Sequence, residues 1–579
     1  MDSELRIAKP FRTLDELYNS LDNLKPWPKI IKLRESAEYV YTTNDMRDNG
    51  RIVQLPKLDR DQQPRTIICH DLKGGYLQDK FIDGSPAHDS YLFYHWSIVD
   101  IFIYFSHHFV TIPPYGWINA AHNHGVKVFG TIITEHTDGE HIWERILSTI
   151  DETKRFADAL IMLAKFYNFE GWLLNVENKI KPDNIERLLY FVQYLTVGIH
   201  NEIPSSEIIW YDSVTVDGNL KWQNELNDEN KSFFENCDGI FLNYNWTDLT
   251  LENSKKLASR TGRIRNVFVG LDVWGRGCPG GGGFNSIEAL QKIREHDLSV
   301  AIFAPAWTHE YFNGESFQQI ENIFWAQLSP LLYIHVPIYD NEHFTTSFCR
   351  GSGQHYYQNG IRNVEKNTSF FNLSWQQTQM SVPATHLVFT YQAQKDKIVS
   401  KHGDKIEKNN GNIYETAFHI IVVQDKKINL QKKYDEHDEV HHVDYNDEFS
   451  YDGGGCLELS TTINNLFQSY HRLLLIHLEF DLDIQIIITH KKKCDDDETC
   501  IRDNNINDGA SISPILIVIN NNKRKHLVPY KNIPLIAKWR QSHYHAKNIK
   551  TINEIGVIFS PKGRYYIGKI QVQPMSYRQ

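Results

Sequence analysis

Cysteine is scarce and unpatterned in this sequence: seven residues lie scattered from Cys69 to Cys500, odd in number and without a CxxC pair. That argues against a disulfide framework and against a structural zinc site as the organising element. Long apolar runs are missing as well. No stretch reaches the roughly 18 residues that a membrane helix needs. The opening MDSELRIAKPFRTLDELYNSLDNLKPWP carries charges throughout and contains no apolar signal core. Membrane insertion is therefore not expected, and the cytosol is the default location. The sequons at Asn230, Asn245, Asn367 and Asn372 then read as chance. An excess of cationic side chains is the third absence. Lys and Arg number 61 against 72 Asp and Glu, a formal charge of −11, which disfavours nucleic acid as a partner.

Aromatic residues are plentiful: 13 Trp, 29 Tyr and 30 Phe make up 12% of the chain. Flat amphipathic rings suit sugar faces as well as cores. At 579 residues the chain exceeds one compact core, so two or three domains are expected.

Between residues 66 and 307 eight short apolar runs recur: TIICH (66–70), VDIFIYF (99–105), VKVFGTIIT (126–134), GWLLNVE (171–177), EIIWYD (207–212), DGIFLNYNW (238–246), NVFVGLDVW (266–274) and SVAIFAPAW (299–307). Continuous rather than alternating hydrophobicity indicates strands buried on both faces, as in a parallel sheet covered by helices. The intervening segments 139–168 and 286–297 have amphipathic helical periodicity. Eight βα units predict an α/β fold of the (β/α)8 TIM-barrel type, with an open doubly wound sheet as the alternative. Past residue 335 helical periodicity fades. Strand-like segments at 386–394, 417–423, 473–490, 512–521, 554–560 and 565–573 predict one or two β-sandwich modules of jelly-roll type. The domain layout so read is an N-terminal extension (1–60), a barrel (61–335) and an accessory β-region (336–579). The charged stretches 424–451 and 491–511, with the acidic CDDDETC (494–500), read as surface loops.

In a TIM barrel the active site lies at the C-terminal ends of the strands. There the runs close in polar residues: His70 and Asp71, Thr134 and Glu135, Asn175 and Glu177, Tyr211 and Asp212, Asn243, Asn245 and Trp246, then Asp272 and Trp274. Leaving one such group buried and unpaired costs ~1–3 kcal/mol, so their convergence predicts a polar cleft. Strand parity sends Asn175 and Glu177 to the same side. An ordinary retaining glycosidase needs two carboxylates about 5–5.5 Å apart, and an amide cannot be the nucleophile. Where the sugar bears a 2-acetamido group, its own carbonyl oxygen can attack the anomeric carbon. The amide would then orient that group while Glu177 protonates the leaving oxygen. The plainer alternative is a strand-end Asn and Glu that only cap a turn. The glycine run GCPGGGGFN (277–285) lacks the Gly-Lys-Ser/Thr of a phosphate loop and reads as a flexible loop on the substrate side. His107, His108, His122 and His124 do not have metal-site spacing, and Cys278 has no evident base partner.

The run FEGWLLNVENKI (169–180) resembles the signature of glycoside hydrolase family 85, the cytosolic endo-β-N-acetylglucosaminidases, with its Asn and Glu two residues apart at the end of strand four. CHDLKGGYLQDKF (69–81), residues 91–135, IIWYDSVTVDGNLKWQNELN (208–227), FFENCDGIFLNYNW (233–246) and VFVGLDVWGRG (267–277) resemble family segments in the same order, so the resemblance spans roughly residues 60 to 330. TSFCRGSGQ (346–354), FFNLSWQQTQ (370–379) and DGGGCLELS (452–460) resemble its accessory β-domains. The resemblance implies hydrolysis inside the N,N′-diacetylchitobiose core of N-glycans, on glycopeptide or free oligosaccharide, without metal or cofactor. It implies Glu177 as acid/base, Asn175 as support for an oxazolinium intermediate and Tyr211 as a holder of the acetamido group. Trp96, Trp222 and Trp246 would line the glycan cleft; from their places at the ends of the apolar runs, Glu135, Asn243, Asp272, Trp274 and Trp307 are read as further substrate contacts. His136 departs from the aromatic residue usual after the strand-three Glu. A barrel that binds glycans but has lost catalysis is the competing expectation; a chitinase-like activity is disfavoured by the lack of a DxxDxDxE motif.

Overall fold

A computed structural model describes residues 6–39, 63–363, 369–380, 412–415, 419–424, 427–432, 442–461, 470–493, 514–520, 523–559 and 563–575. The expected strand at 386–394, the acidic run 494–500 and the sequon at Asn367 lie outside the described residues. The chain divides into two compact units, one made of residues 1–33, 58–83 and 98–333, the other of 34–57, 84–97 and 334–579. Segment 84–97 therefore belongs with the β-rich unit rather than with the barrel, where sequence order had put it.

The first unit is a closed barrel of eight parallel strands: β1 (Thr66–His70), β2 (Ile101–Tyr104), β3 (Lys127–Glu135), β4 (Gly171–Glu177), β5 (Glu207–Tyr211), β6 (Gly239–Leu242), β7 (Val267–Asp272) and β8 (Ser299–Phe303). Each pairs with its sequence neighbour, and β8 pairs with β1 to complete the ring. The alternation of side chains decides what each strand contributes. Ile67, Ile101, Ile103, Phe129, Leu173, Ile209, Phe241, Phe268 and Ala301 fill the interior as one cluster. Residues of the opposite parity are equally buried: Trp210, for instance, stacks on Phe233 with ring centroids 4.1 Å apart. Double-sided burial is what the unbroken apolar runs anticipate.

Segment 139–168, which reads as one helical stretch, is two helices, His136–Ile146 and Ile150–Tyr167. The break falls where Thr149 takes extended dihedrals and accepts a hydrogen bond from Glu152 N at 3.1 Å, an N-cap that starts the second helix. After β7 the glycine run holds positive φ at Gly277, Gly280, Gly281, Gly282 and Gly283, and helix Ser286–Glu295 begins directly after it.

Charges at the N-terminal ends of the strands are closely paired. Glu207 at the start of β5 accepts from Arg65 (2.6 and 3.2 Å) and from Lys127 (2.5 Å). Burial pushes the Glu207 carboxyl up, but the charges and hydrogen bonds of Arg65 and Lys127 more than reverse this and hold it at about 2. His122 is buried with Nε2 3.0 Å from Glu170 Oε2 and Nδ1 2.6 Å from Ile31 O.

The second unit is built on two antiparallel-rich sheets. One, of six strands, runs Ser36–Tyr39, Ile334–Asp340, Tyr470–Glu479, Thr551–Ile558, Ile515–Asn520, Lys523–Leu527. The other, of seven, holds Phe344–Thr346, His442–Asn446, Cys456–Thr461, Gly563–Pro574, Ile484–Lys492, Arg540–Ala546 and Lys531–Pro534. Leu474, Ile476, Val557 and Leu516 from the first sheet share one cluster with Leu459, Ile486, Ile488 and Ile570 from the second, which makes the pair a β-sandwich. The run 473–490 breaks at Phe480–Asp483, where Asp481 and Asn341 exchange hydrogen bonds in a turn. Segment 412–432 adds a separate three-stranded antiparallel sheet.

Candidate active site

A cavity of about 500 Å³ opens at the C-terminal ends of the barrel strands, lined by polar groups over an apolar floor that includes Ile133, Leu173 and Phe241. Six of the residues expected at a site from sequence line it: Glu135, Asn175, Glu177, Tyr211, Trp222 and Asn243. Register explains the first three. Ile133 pairs with Asn175 and Glu135 with Glu177, so both carboxylates share one face at the open end.

Glu177 is the best-placed proton carrier. Burial raises its carboxyl above the ordinary range and the neighbouring Glu135 charge adds to this, while hydrogen bonds from Trp222 and Asn175 and the charge of His107 oppose it; the net shift is upward. A carboxyl so tuned keeps its proton closer to neutrality, as a general acid requires. The Trp222 indole donates to Oε1 at 3.3 Å, and Asn175 Nδ2 leans toward Oε2 at 3.5 Å. Asn175 itself is buried, and among the described residues its Oδ1 has no hydrogen-bond partner. A buried acceptor left unpaired costs about 1–3 kcal/mol, so it can take a hydrogen bond from an N–H or O–H donor.

On the adjoining wall Tyr211 donates its hydroxyl to Asn243 Oδ1 at 2.8 Å, and Asn243 Nδ2 donates to Asn224 Oδ1 at 2.8 Å. Burial keeps the Tyr211 phenol protonated. Behind this chain lies Asp212, which sequence marks only as a strand-end carboxylate. It accepts from Gln223 N (3.1 Å), Asn224 N (2.7 Å), Asn230 Nδ2 (3.0 Å) and Asn243 N (3.4 Å), and burial raises it to about 6. Asp212 thereby fixes the loop that carries Trp222.

The remaining expected residues stand elsewhere. Trp96 belongs to the second unit, where it is 1% exposed and donates to Gln376 Oε1. Trp246 is 2% exposed, its indole donating to Gly270 O at 2.8 Å. Asp272 is fully buried and grips Arg276 through Nε (2.8 Å) and Nη2 (3.0 Å), so it is Arg276 that reaches the cavity. Trp307 packs against Tyr311, centroids 5.2 Å apart, outside the cavity lining, and Trp274 is partly exposed beside the same tyrosine. His136 is exposed at the start of its helix.

Beyond the apolar residues and Cys69, four lining side chains were not among the expected substrate contacts: Asp71, His107, Tyr244 and Arg276. Tyr244 has a signal in sequence only in hindsight. A Cβ on Gly270 would lie 2.3 Å from Leu242 O and 2.7 Å from Tyr244 Cδ1, so the glycine inside β7 is what lets that ring enter. Among the described residues no group of three or more His, Cys, Asp or Glu is arranged to hold a metal ion.

Fold and cavity together define a (β/α)8 barrel with a carboxylate and an amide converging at its strand ends. Residues 76–356 match the model of Glycosyl hydrolase family 85. The chain is 47% identical over 360 residues to a cytosolic endo-beta-N-acetylglucosaminidase of Danio rerio, covering 62% of this chain and 49% of that protein. It is 44% identical over 297 residues to the protein of that name in Homo sapiens (50% and 39% covered) and 39% identical over 317 residues to cytosolic endo-beta-N-acetylglucosaminidase 1 of Arabidopsis thaliana (55% and 46%). The chain thus spans about half the length of the curated relatives it matches. The crystal structure of the Endo-D glycoside hydrolase domain from Streptococcus pneumoniae R6 superposes with a TM-score of 0.70 at 17% identity, over 99% of this chain and 83% of that one, a likeness of fold.

Proposed function

We infer that this protein is an endo-β-N-acetylglucosaminidase that cleaves the β-1,4 bond of the N,N′-diacetylchitobiose core of N-glycans with the substrate's own acetamido group as nucleophile. The relatives are named for that activity and for the cytosol, and we assign both to this chain. The observation that carries the mechanism is the open Oδ1 of Asn175 beside Glu177. Glu177 gives its proton to the glycosidic oxygen, and that C–O bond breaks as the acetamido carbonyl oxygen attacks the anomeric carbon. The acetamido N–H, made more acidic as the oxazolinium forms, donates to Asn175 Oδ1, and the Tyr211 hydroxyl bounds the pocket from the side. Water then attacks the anomeric carbon from the vacated face, losing its proton to the Glu177 carboxylate, as the bond from that carbon to the oxazolinium oxygen breaks and the acetamido group is restored; configuration is retained. An acceptor hydroxyl in place of water gives transglycosylation.

A second reading is permitted by the pairing of Glu135 with Glu177: a double displacement with Glu135 as nucleophile. The two part on Asn175→Ala. Under substrate assistance this variant hydrolyses a defined N-glycopeptide ~10²–10³-fold more slowly, yet still transfers a synthetic sugar oxazoline to an N-acetylglucosamine acceptor, because Glu177 remains as base. Mass spectrometry of the products decides. No transfer by the variant, with transfer by the wild type, overturns the assisted route.

A further inference from the structure

Three successive strands end in side chains that meet on one wall of the cavity, and the substrate-assisted mechanism uses none of them. His107, after β2, stands with Nε2 3.7 Å from Asp71 Oδ2, after β1, and Nδ1 4.0 Å from Glu135 Oε2, at the end of β3. All three line the same cavity as Glu177. The Phe105 ring meets the imidazole edge-on at 5.5 Å, fixing its plane. Adjacent strands are ~4.8 Å apart, so the register partnership of Glu135 and Glu177 forces two carboxylates together at the open end. Like charges at that spacing oppose each other's ionisation.

We propose that His107 is a positioning residue for the Glu177 acid/base: as a cation held between Asp71 and Glu135, it draws Glu135 away and offsets the charge that the register places beside Glu177. This rests on the reading of Glu177 as proton carrier. Other charged or titratable groups are placed to leave the task to His107. Arg276 is committed to Asp272 through two nitrogens. His108 turns its ring toward Tyr76 instead, centroids 6.1 Å apart. Tyr211 and Tyr244, on the far side of Glu177, are kept neutral by burial. The Asp71 carboxylate, 3.7 Å away, raises the His107 imidazole above the ordinary histidine range against partial burial, with Glu135 and Glu177 adding to it, so the cation persists at higher pH. Among the described residues Asp71 Oδ1 has no hydrogen-bond partner.

The test is the titration midpoint of Glu177, read on the whole chain by infrared difference spectroscopy as the carboxyl band that disappears in Glu177→Gln. Removing the cation in His107→Gln raises the midpoint by on the order of one pH unit. Removing the like charge in Glu135→Gln lowers it. The double variant His107→Gln/Glu135→Gln returns it near the wild-type value, which no purely structural role for the histidine produces. Circular dichroism confirms that each variant is folded. The alkaline limb of kcat/KM on N-glycopeptide moves in the same order. A midpoint unmoved in His107→Gln, or a double variant that stays at the His107→Gln value, overturns the proposal. The spectroscopic readout needs no turnover. A wild type that cleaves no chitobiose core would sink the proposed function while leaving this measurement decisive for His107.

Discussion

The two rims of the barrel treat charge in opposite ways. At the N-terminal rim Glu207 is held by two cations at 2.5–2.6 Å, and His122 bridges Glu170 and Ile31. At the C-terminal rim Asn175 Oδ1 and Asp71 Oδ1 lack partners among the described residues, two carboxylates are paired in register, and Asp212 is pushed up to about 6. At one rim opposite charges are paired within the fold; at the other two carboxylates of like charge are brought together. Stability and chemistry are thereby assigned to different ends of the same strands.

Exchanging the effects of two carboxylates is the strongest way to break this contrast. Glu177→Gln is expected to lose 10²–10⁴-fold or more in glycopeptide hydrolysis, since general acid catalysis is worth about that much, with an unchanged urea midpoint. Glu207→Gln should do the reverse. The folded carboxyl at about 2 lies below its ordinary 4.5, so its pairing contributes ~3 kcal/mol above pH 4.5, which fades as pH falls from 4.5 toward 2. Urea unfolding should find the variant weaker by that order at pH 7 and nearly equal to wild type at pH 2.5, with turnover per folded molecule preserved. A variant equally destabilised at both pH values would show that the loss is one of packing.

Asp212 sharpens the comparison because its shift has the opposite sign. A folded carboxyl raised from 3.8 to about 6 binds its proton more readily than the unfolded chain, so stability rises as pH drops through that window. The protonated form, however, offers fewer acceptors to the Trp222 loop. Activity should fall below pH 6, and Asp212→Asn should flatten that acid limb while lowering the plateau roughly 10-fold, about one charge-assisted hydrogen bond. An acid limb that survives in Asp212→Asn would place its origin elsewhere. The smallest effect is expected for Trp222→Phe. Losing the indole donor to Glu177 removes a downward influence on its carboxyl, so the alkaline limb of the pH profile should move up slightly, with a few-fold change in kcat/KM.

How much of this was legible in the sequence depends on the range of the interaction. Each of the eight apolar runs coincides with a barrel strand to within a few residues, because double-sided burial leaves a local trace. The parity that puts Asn175 and Glu177 on one face is equally local. Trp246 misled because a tryptophan at a strand end reads the same whether its indole faces a cleft or, as here, the carbonyl of Gly270 on the next strand. Asp212 looked like one more polar strand end, and only the folded loop brings four donors to it. His107 suggested a metal cluster to be weighed and dismissed; its carboxylate neighbours come from strands on either side. Break points were the other gap: Thr149 as a cap inside an amphipathic stretch is clear once the dihedrals are known.

The four-residue strand Ser36–Tyr39 bears on how the protein can be divided. It pairs antiparallel with Ile334–Asp340, from Ser36 opposite Pro337 to Tyr39 opposite Ile334, and so covers one margin of the six-stranded sheet. Ile334 and Val336 in the covered strand are buried apolar residues. A fragment trimmed at residue 60, where the sequence places the end of an N-terminal extension, would bare the backbone of that strand as an open template for pairing with another chain. Shortening the protein from its beginning therefore invites self-association at a site more than 270 positions further along the chain, and expression of the accessory β-region alone would need residues 34–39 supplied with it.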